Sequence, residues 1–398
     1  MPEPSAVLQA IAGQLDEDAL IAACQRIVQI ESQTGGEAVV GAYFTEVLRS
    51  QGFDSVTTDP NGNVIGLVAG SDGGPSLMVN GHLDHVPAGA MNDPHSGKLV
   101  DASIWGEKGQ AIYGRGSCDM KCNLVAAAFA IGLLQRSGMR PAGDIILVAD
   151  VEEETDSPKG VKSVIAGGLR ADFGLSVEST RGQVYLGHRG KVEFELAIAG
   201  RTSHASEPAR GINAVYRSQA AVAAIEAYSH GLPQDNLLGS ATVTITGFHS
   251  HPDNGTAVVP DRVFMRVDRR YVRGETPATV EAELRGRLRD AMGSEEGEGW
   301  QIRLTNHYPL MYTPPENPVA QAALATVAAM GGHSEAAAWR FGVNGTFMVE
   351  AGIPTVGLGP GDEKWAHTPE EHILVSDLVN ATYAIAATVG LITGAARA

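Results

Sequence analysis

Histidines and acids that could hold metal ions gather in five short stretches of this 398-residue chain. His82 and Asp84 stand in Gly81-His82-Leu83-Asp84-His85-Val86-Pro87. Asp119 follows Gly114-Arg115-Gly116-Ser117-Cys118 and precedes Met120-Lys121. Glu152, Glu153 and Glu154 form a triplet, and Glu178 and His367 stand further on. A single acid after a strand is usually a helix cap or a surface carboxylate. Five such positions are harder to dismiss, because most fall where apolar runs end, the edge at which open α/β sheets bind ligands. Two histidines and three carboxylates offer enough N and O donors for a pair of divalent cations. No paired cysteines lie nearby, which argues against a structural thiolate site. Asp84, two residues beyond His82, can accept the second imidazole N–H and fix the ring. Neighbouring glutamates suggest divided labour, one on metal and one free to move protons.

The elements that must position these residues read as α/β. Helical spacing runs over Asp16 to Ile30 and Glu37 to Ser50. Ser76 to Val79 reads as a buried strand ending in an Asn80-Gly81 turn, with further core strands at Asp144 to Ala149 and Phe173 to Val177. Asn123 to Leu134 reads as a buried helix. Strands alternating with helices predict a sheet with a parallel portion. The middle differs. Lys191 to Ala199 alternates as a half-buried strand. A helix from Asn213 to Tyr228, strands at Ala241 to Thr246 and Arg262 to Val267, a helix from Thr276 to Met292 and a strand from Gln301 to Asn306 follow. That β-α-β-β-α-β order is ferredoxin-like. Pro318 to Ala329, Thr355 to Leu358 and the last twenty residues then resume helix, strand and helix. The expectation is a discontinuous catalytic domain over 1–186 and 309–398, with an α+β domain inserted at 187–308.

Composition narrows the partners. Lys and Arg total 29 against 46 Asp and Glu, a net charge of −17. Such a surplus argues against binding a nucleic-acid backbone or an anionic membrane surface. The sequence shows no secretory signal and no run of about 18 apolar residues. Cys24, Cys118 and Cys122 are too few, and odd in number, for a disulfide scaffold. A reducing, cytoplasmic location is the expectation. The pair His249 and His251 reads as exposed loop residues.

Taken together, the motifs resemble the dinuclear zinc hydrolases that include acetylornithine deacetylase, succinyl-diaminopimelate desuccinylase, aminoacylase and glutamate carboxypeptidase. The resemblance spans nearly the whole chain. It implies a mixed-sheet zinc-peptidase-like catalytic domain, an inserted domain that serves dimerisation and forms a lid, and two Zn²⁺, with Co²⁺ or Mn²⁺ as possible substitutes. By the same resemblance His82 and Glu178 would hold one metal, His367 and Glu154 the other, and Asp119 would bridge them. Glu153 would be the general acid/base, Asp84 would orient His82, and His204 would stabilise an oxyanion in the partner subunit's site. The triplet also admits a shifted register, Glu152 as base and Glu153 as ligand. Arg270, with Arg269 as rival, would pair with a substrate carboxylate, and Asn344, Gly345 and Gly359 would shape the substrate pocket. The chain departs from the family in Cys122, where Gly is usual, and in Asn254, which stands earlier than the family's Asn before Val-(Val/Ile)-Pro.

The expected activity is metal-assisted cleavage of the amide of an N-acyl amino acid or small peptide with a free carboxylate. A dipeptidase or carboxypeptidase of the same family is the alternative. A non-catalytic metal-dependent binding protein is more remote, since it would not need the glutamate pair. No Gly-x-Ser-x-Gly elbow supports a serine hydrolase.

Overall fold

A computed structural model describes residues 3–71, 73–253 and 257–397. Asn254 lies outside the described residues. The chain divides into two compact units: Met1–Gly187 with Met311–Trp339 and Val343–Ala398, and His188–Leu310 with Arg340–Gly342.

The first unit is built on a mixed sheet. At its centre, Leu77–His82 and Ile145–Asp150 are buried along their whole length, as apolar strands covered on both faces must be. They run parallel, with Leu77 opposite Ile145 and His82 opposite Asp150. Phe173–Ser176 joins Leu77–His82 in parallel on its other side, and Thr355–Gly357 extends that parallel set. Val64–Val68 and then Ser55–Thr58 continue the opposite edge antiparallel. The helices Cys122–Arg136 and Val375–Ile392 pack against each other. By length and composition, Ser117–Arg136 and Val375–Ile392 are apolar enough to cross a membrane, but 94% and 67% of their apolar windows are buried within the protein. They serve here as core helices.

One local expectation fails in an informative way. Asn80-Gly81 is not a turn but part of the strand, which runs on to His82. The Asn80 amide donates to the Val148 carbonyl of the neighbouring strand. Gly81 is there for space: a Cβ would come within 2.5 Å of Met120 Cε. His82 therefore sits on the rigid ladder itself.

The second unit is a four-stranded antiparallel sheet in the order Thr242–His251, Arg262–Tyr271, Gly190–Ala199, Trp300–Tyr308. Helices Ala214–Tyr228 and Pro277–Met292 pack on it, capped by Asn213 and Thr276. Alternating Val192, Phe194, Leu196 and Ile198 point into its core. Thr242–His251 is longer than its sequence suggested, because pairing resumes after a register shift between Ile245 and Gly247. His249 and His251 thus lie on a strand rather than in a loop; His249 stacks on Phe264 and His251 sits 3.1 Å from Asp261.

Candidate metal centre

His82 is the anchor of the site. Its Nδ1 lies 3.0 Å from the Asp84 carbonyl oxygen and 3.3 Å from Asp84 Oδ1, which turns Nε2 outward. That nitrogen stands 3.1 Å from Asp119 Oδ1 and 3.4 Å from Glu178 Oε1. Asp119 lies in the turn Ser117–Lys121 that leads into the buried helix. Its other oxygen, Oδ2, is 3.1 Å from Nε2 of His367, and the same nitrogen is 3.1 Å from Glu154 Oε1. Donor atoms of His82, Asp119 and Glu154 all lie within 4.8 Å of one another. Asp119 thus stands between His82 with Glu178 on one side and His367 with Glu154 on the other.

The acidic triplet splits in space. Glu152 turns away to Lys159, at 2.6 Å, and Ser157, at 2.7 Å. The N–H groups of Glu153 and Glu154 donate to Asp84 Oδ1 and Oδ2 at 3.1 and 3.2 Å. Thr34 adds a hydrogen bond to Asp84 Oδ2 at 2.8 Å. Gly359 lets the chain pass tightly behind Glu178, since a Cβ there would fall 2.3 Å from the Val177 and Glu178 carbonyl oxygens.

Charge in this pocket is crowded. Burial would depress the His82 imidazole, but hydrogen bonds to Asp119, Asp84 and Glu178 hold its pKa well above the usual value. His367 is pushed up to about 10 by its hydrogen bonds to Asp119 and Glu154. Burial would raise Asp119, yet the two histidines hold it well below the carboxylate range. Glu153 is raised strongly by burial, with the charges of Glu178, Glu154 and Asp119 adding to it against His82. Burial also raises Glu154 and Glu178. Four carboxylates in so little space favour positive charge among them, which is the direction in which His82 and His367 are shifted. Oxygen and imidazole donors around a shared carboxylate fit divalent cations equally well.

Two buried pairs carry no signal in the sequence. Asn344 donates to Asp150 Oδ2 at 2.6 Å, so its amide NH₂ is turned into the protein; burial lifts Asp150 to about 7. Glu371 pairs with Arg115 and accepts the N–H groups of Cys118 and Asp119. Gly345, beside Asn344, opens the helix Gly345–Glu350 and lies against Met311 and Ser176. All three cysteines are free and buried. Cys118 sits 3.3 Å from Ser179 Oγ, and burial keeps its thiol protonated.

Within the second unit, Arg269 and Arg270 differ sharply. Arg269 is fully buried and pairs with Glu275, with Tyr228 Oη at 3.3 Å. Arg270 is partly exposed and forks onto Asp268 at 2.8 and 3.1 Å. His204 is exposed, its Nδ1 accepting the Ser206 N–H at 3.1 Å.

The profile of peptidase family M20/M25/M40 matches residues 78–390. The chain belongs to this family. It is accordingly a hydrolase, and its fold is that of M20 peptidases. Among its relatives, the uncharacterized protein YgeY of Escherichia coli is 28% identical over 377 residues, covering 89% of each chain. A succinyl-diaminopimelate desuccinylase of Rhodospirillum centenum is also 28% identical, over 78% of this chain and 80% of its own. The crystal structure of a Staphylococcus aureus tripeptidase superposes with a TM-score of 0.77 at 22% identity, covering 96% of this chain and 100% of the other. That last likeness is one of fold.

Proposed function

We propose that this M20 hydrolase is a dinuclear zinc amidohydrolase that cleaves an N-acyl amino acid, or a small peptide, next to a free carboxylate. The observation that carries this reading is Asp119, whose two oxygens each lie 3.1 Å from the Nε2 of a different histidine. His82 with Glu178, and His367 with Glu154, would complete one metal site each, with Asp119 shared. Two ions so held supply Lewis acidity toward a carbonyl and water acidic enough to deprotonate near neutral pH. Glu153 belongs to neither half-site by these distances. In this reading it takes the proton of the attacking water and passes it to the leaving amine. The outward turn of Glu152 onto Lys159 supports Glu153 rather than Glu152 in that role.

The burial of Arg269 leaves Arg270 as the arginine of the pair able to meet a substrate carboxylate bidentately. The second unit would mediate a homodimer. Its edge strand Thr242–His251 is paired along one side among the described strands, and Phe248 on it is 47% exposed. In such a pair, His204 of each chain would stabilise the oxyanion in the other's site. The three free, buried thiols suit a reducing, cytoplasmic setting.

Zinc- or cobalt-loaded protein assayed on N-acetyl and N-succinyl amino acids beside di- and tripeptides tests the reading. Turnover of acylated amino acids that is lost on chelation is the expected result. Turnover of peptides alone would make the chain a peptidase, and turnover surviving chelation would remove the metal from the mechanism.

A further inference from the structure

Glu371 takes no part in the metal-ligand set, yet it is fully buried directly behind it. Its Oε1 accepts the N–H of Cys118 and the N–H of Asp119, each at 3.0 Å. Its Oε2 is held by Nη1 of Arg115, itself 2% exposed. Its own carbonyl accepts the N–H of Gly114 at 3.2 Å. The next residue, His372, starts the strand His372–Leu374, which pairs with Gln110–Tyr113. One side chain therefore stitches the segment carrying His367 to the turn carrying Asp119.

The chemistry of that stitch is specific. Asp119 must offer one oxygen toward His82 and the other toward His367, so the orientation of its backbone sets whether a shared carboxylate is possible. Within the turn the Lys121 N–H bonds the Gly116 carbonyl and the Ser117 N–H that of Gly114, but the N–H of Asp119 itself goes to Glu371. A carboxylate accepting two consecutive N–H groups fixes that orientation, and charged acceptors make the stronger hydrogen bonds. Leaving a buried carboxylate there is costly unless it is paired, and Arg115 supplies the pairing.

We infer that Glu371, held by Arg115, is a positioning residue that aims Asp119 so that both metal half-sites form together. The inference rests on the dinuclear reading proposed above and adds to it a determinant of metal binding that does not itself touch metal. Its consequence is selective. Removing the clamp should weaken binding of the second ion and disturb its ligand field, while His82 and its partner Asp84 keep their contacts.

The test is Co²⁺ titration of the metal-free protein, followed by calorimetry and by the visible ligand-field spectrum, in wild type and Glu371→Gln. The glutamine is isosteric. It can keep an oxygen toward the two N–H groups only by turning its NH₂ against the Arg115 guanidinium, donor against donor. Wild type is expected to bind two ions. Glu371→Gln should bind the weaker one about 10- to 100-fold less tightly, the range found when partners of metal ligands are removed, and show an altered visible band. A folded Glu371→Gln with both affinities and the spectrum of wild type overturns the positioning role while leaving the dinuclear reading intact. Wild type binding fewer than two ions overturns the dinuclear reading, and the inference with it. Should Glu371→Gln fail to fold, Glu371→Asp decides in its place. It keeps the charge toward Arg115 but withdraws the acceptor by one methylene, and the same two signals are read.

Discussion

Asp84 Oδ1 stands 3.3 Å from Nδ1 of His82, while the same carboxylate accepts the N–H groups of Glu153 and Glu154. One buried acid thus fixes the imidazole at the end of the central strand and the start of the acidic loop. Burial would raise the Asp84 pKa, but the hydrogen bonds from His82 and its other donors hold it below the usual value. It is an anion at neutral pH, and with the Asp84 carbonyl oxygen, 3.0 Å from Nδ1, it favours a proton on that nitrogen and leaves Nε2 facing the acids.

Asp84→Asn should therefore cost more than its shape suggests. The amide cannot accept at all the positions the carboxylate serves, so both the ring and the loop lose a constraint. Metal affinity is expected to fall about 10- to 100-fold, as for other partners of ligating histidines. Competition against a chromophoric chelator measures it, and an unchanged affinity would refute the orienting role.

Glu153→Gln separates chemistry from metal binding. Loss of the proton carrier is expected to lower kcat by roughly 10²- to 10⁴-fold. Elemental analysis should find the metal content of wild type, because the contacts of His82, Asp119, Glu154, Glu178 and His367 do not pass through Glu153. A variant that loses both activity and metal would instead make Glu153 a ligand, which is the shifted register.

Much of this site was legible in the sequence, for a physical reason. Metal-binding chemistry draws on a few residue types, and α/β sheets present them past strand ends, as at His82 and Glu178, so these two, Asp119 and His367 stand out even though they are far apart in the chain. Long periodic elements such as Ala214–Tyr228 and Pro277–Met292 were equally plain. What escaped was whatever depends on pairing between distant segments. Asn80-Gly81 has turn chemistry, and only its neighbours on both sides hold it in a strand. Arg115–Glu371 and Asp150–Asn344 join residues separated by 256 and 194 positions, with no periodicity to betray them. Sequence could not choose between Arg269 and Arg270 because alternate strand residues face opposite sides, and which side is core is a tertiary fact.

The same two arginines make a paired prediction. Arg269→Ala leaves Glu275 without its buried partner and should destabilise the protein by about 3–5 kcal/mol. Arg270→Ala removes a partly exposed pair, worth no more than about 1 kcal/mol, and should leave the melting temperature nearly unchanged. On a substrate with a free carboxylate, however, Arg270→Ala is expected to raise KM tenfold or more, about 1.4 kcal/mol in binding. An Arg270→Ala enzyme with wild-type kcat/KM on such substrates would remove the arginine from recognition.

His85 gives the metal-free protein an acid-side weakness. The ring is buried, its Nε2 accepts the Ser32 N–H at 3.0 Å, and Nδ1 consequently donates to the Val86 carbonyl at 2.8 Å. A proton can be added only by breaking the first of these bonds. Burial, followed by the charge of Lys121, pushes the pKa down from 6.5 to about 4. The unfolded chain therefore binds more protons than the folded one between those values. The contribution of His85 to stability is complete above about pH 6.5 and is lost as pH falls toward 4, by about 3 kcal/mol in all. Urea unfolding of metal-free protein from pH 7 to pH 4.5 should show it. His85→Gln is expected to be less stable than wild type at pH 7, with a gap that narrows steadily on acidification. A gap that stays constant across that range would mean that His85 titrates alike in the folded and unfolded chain.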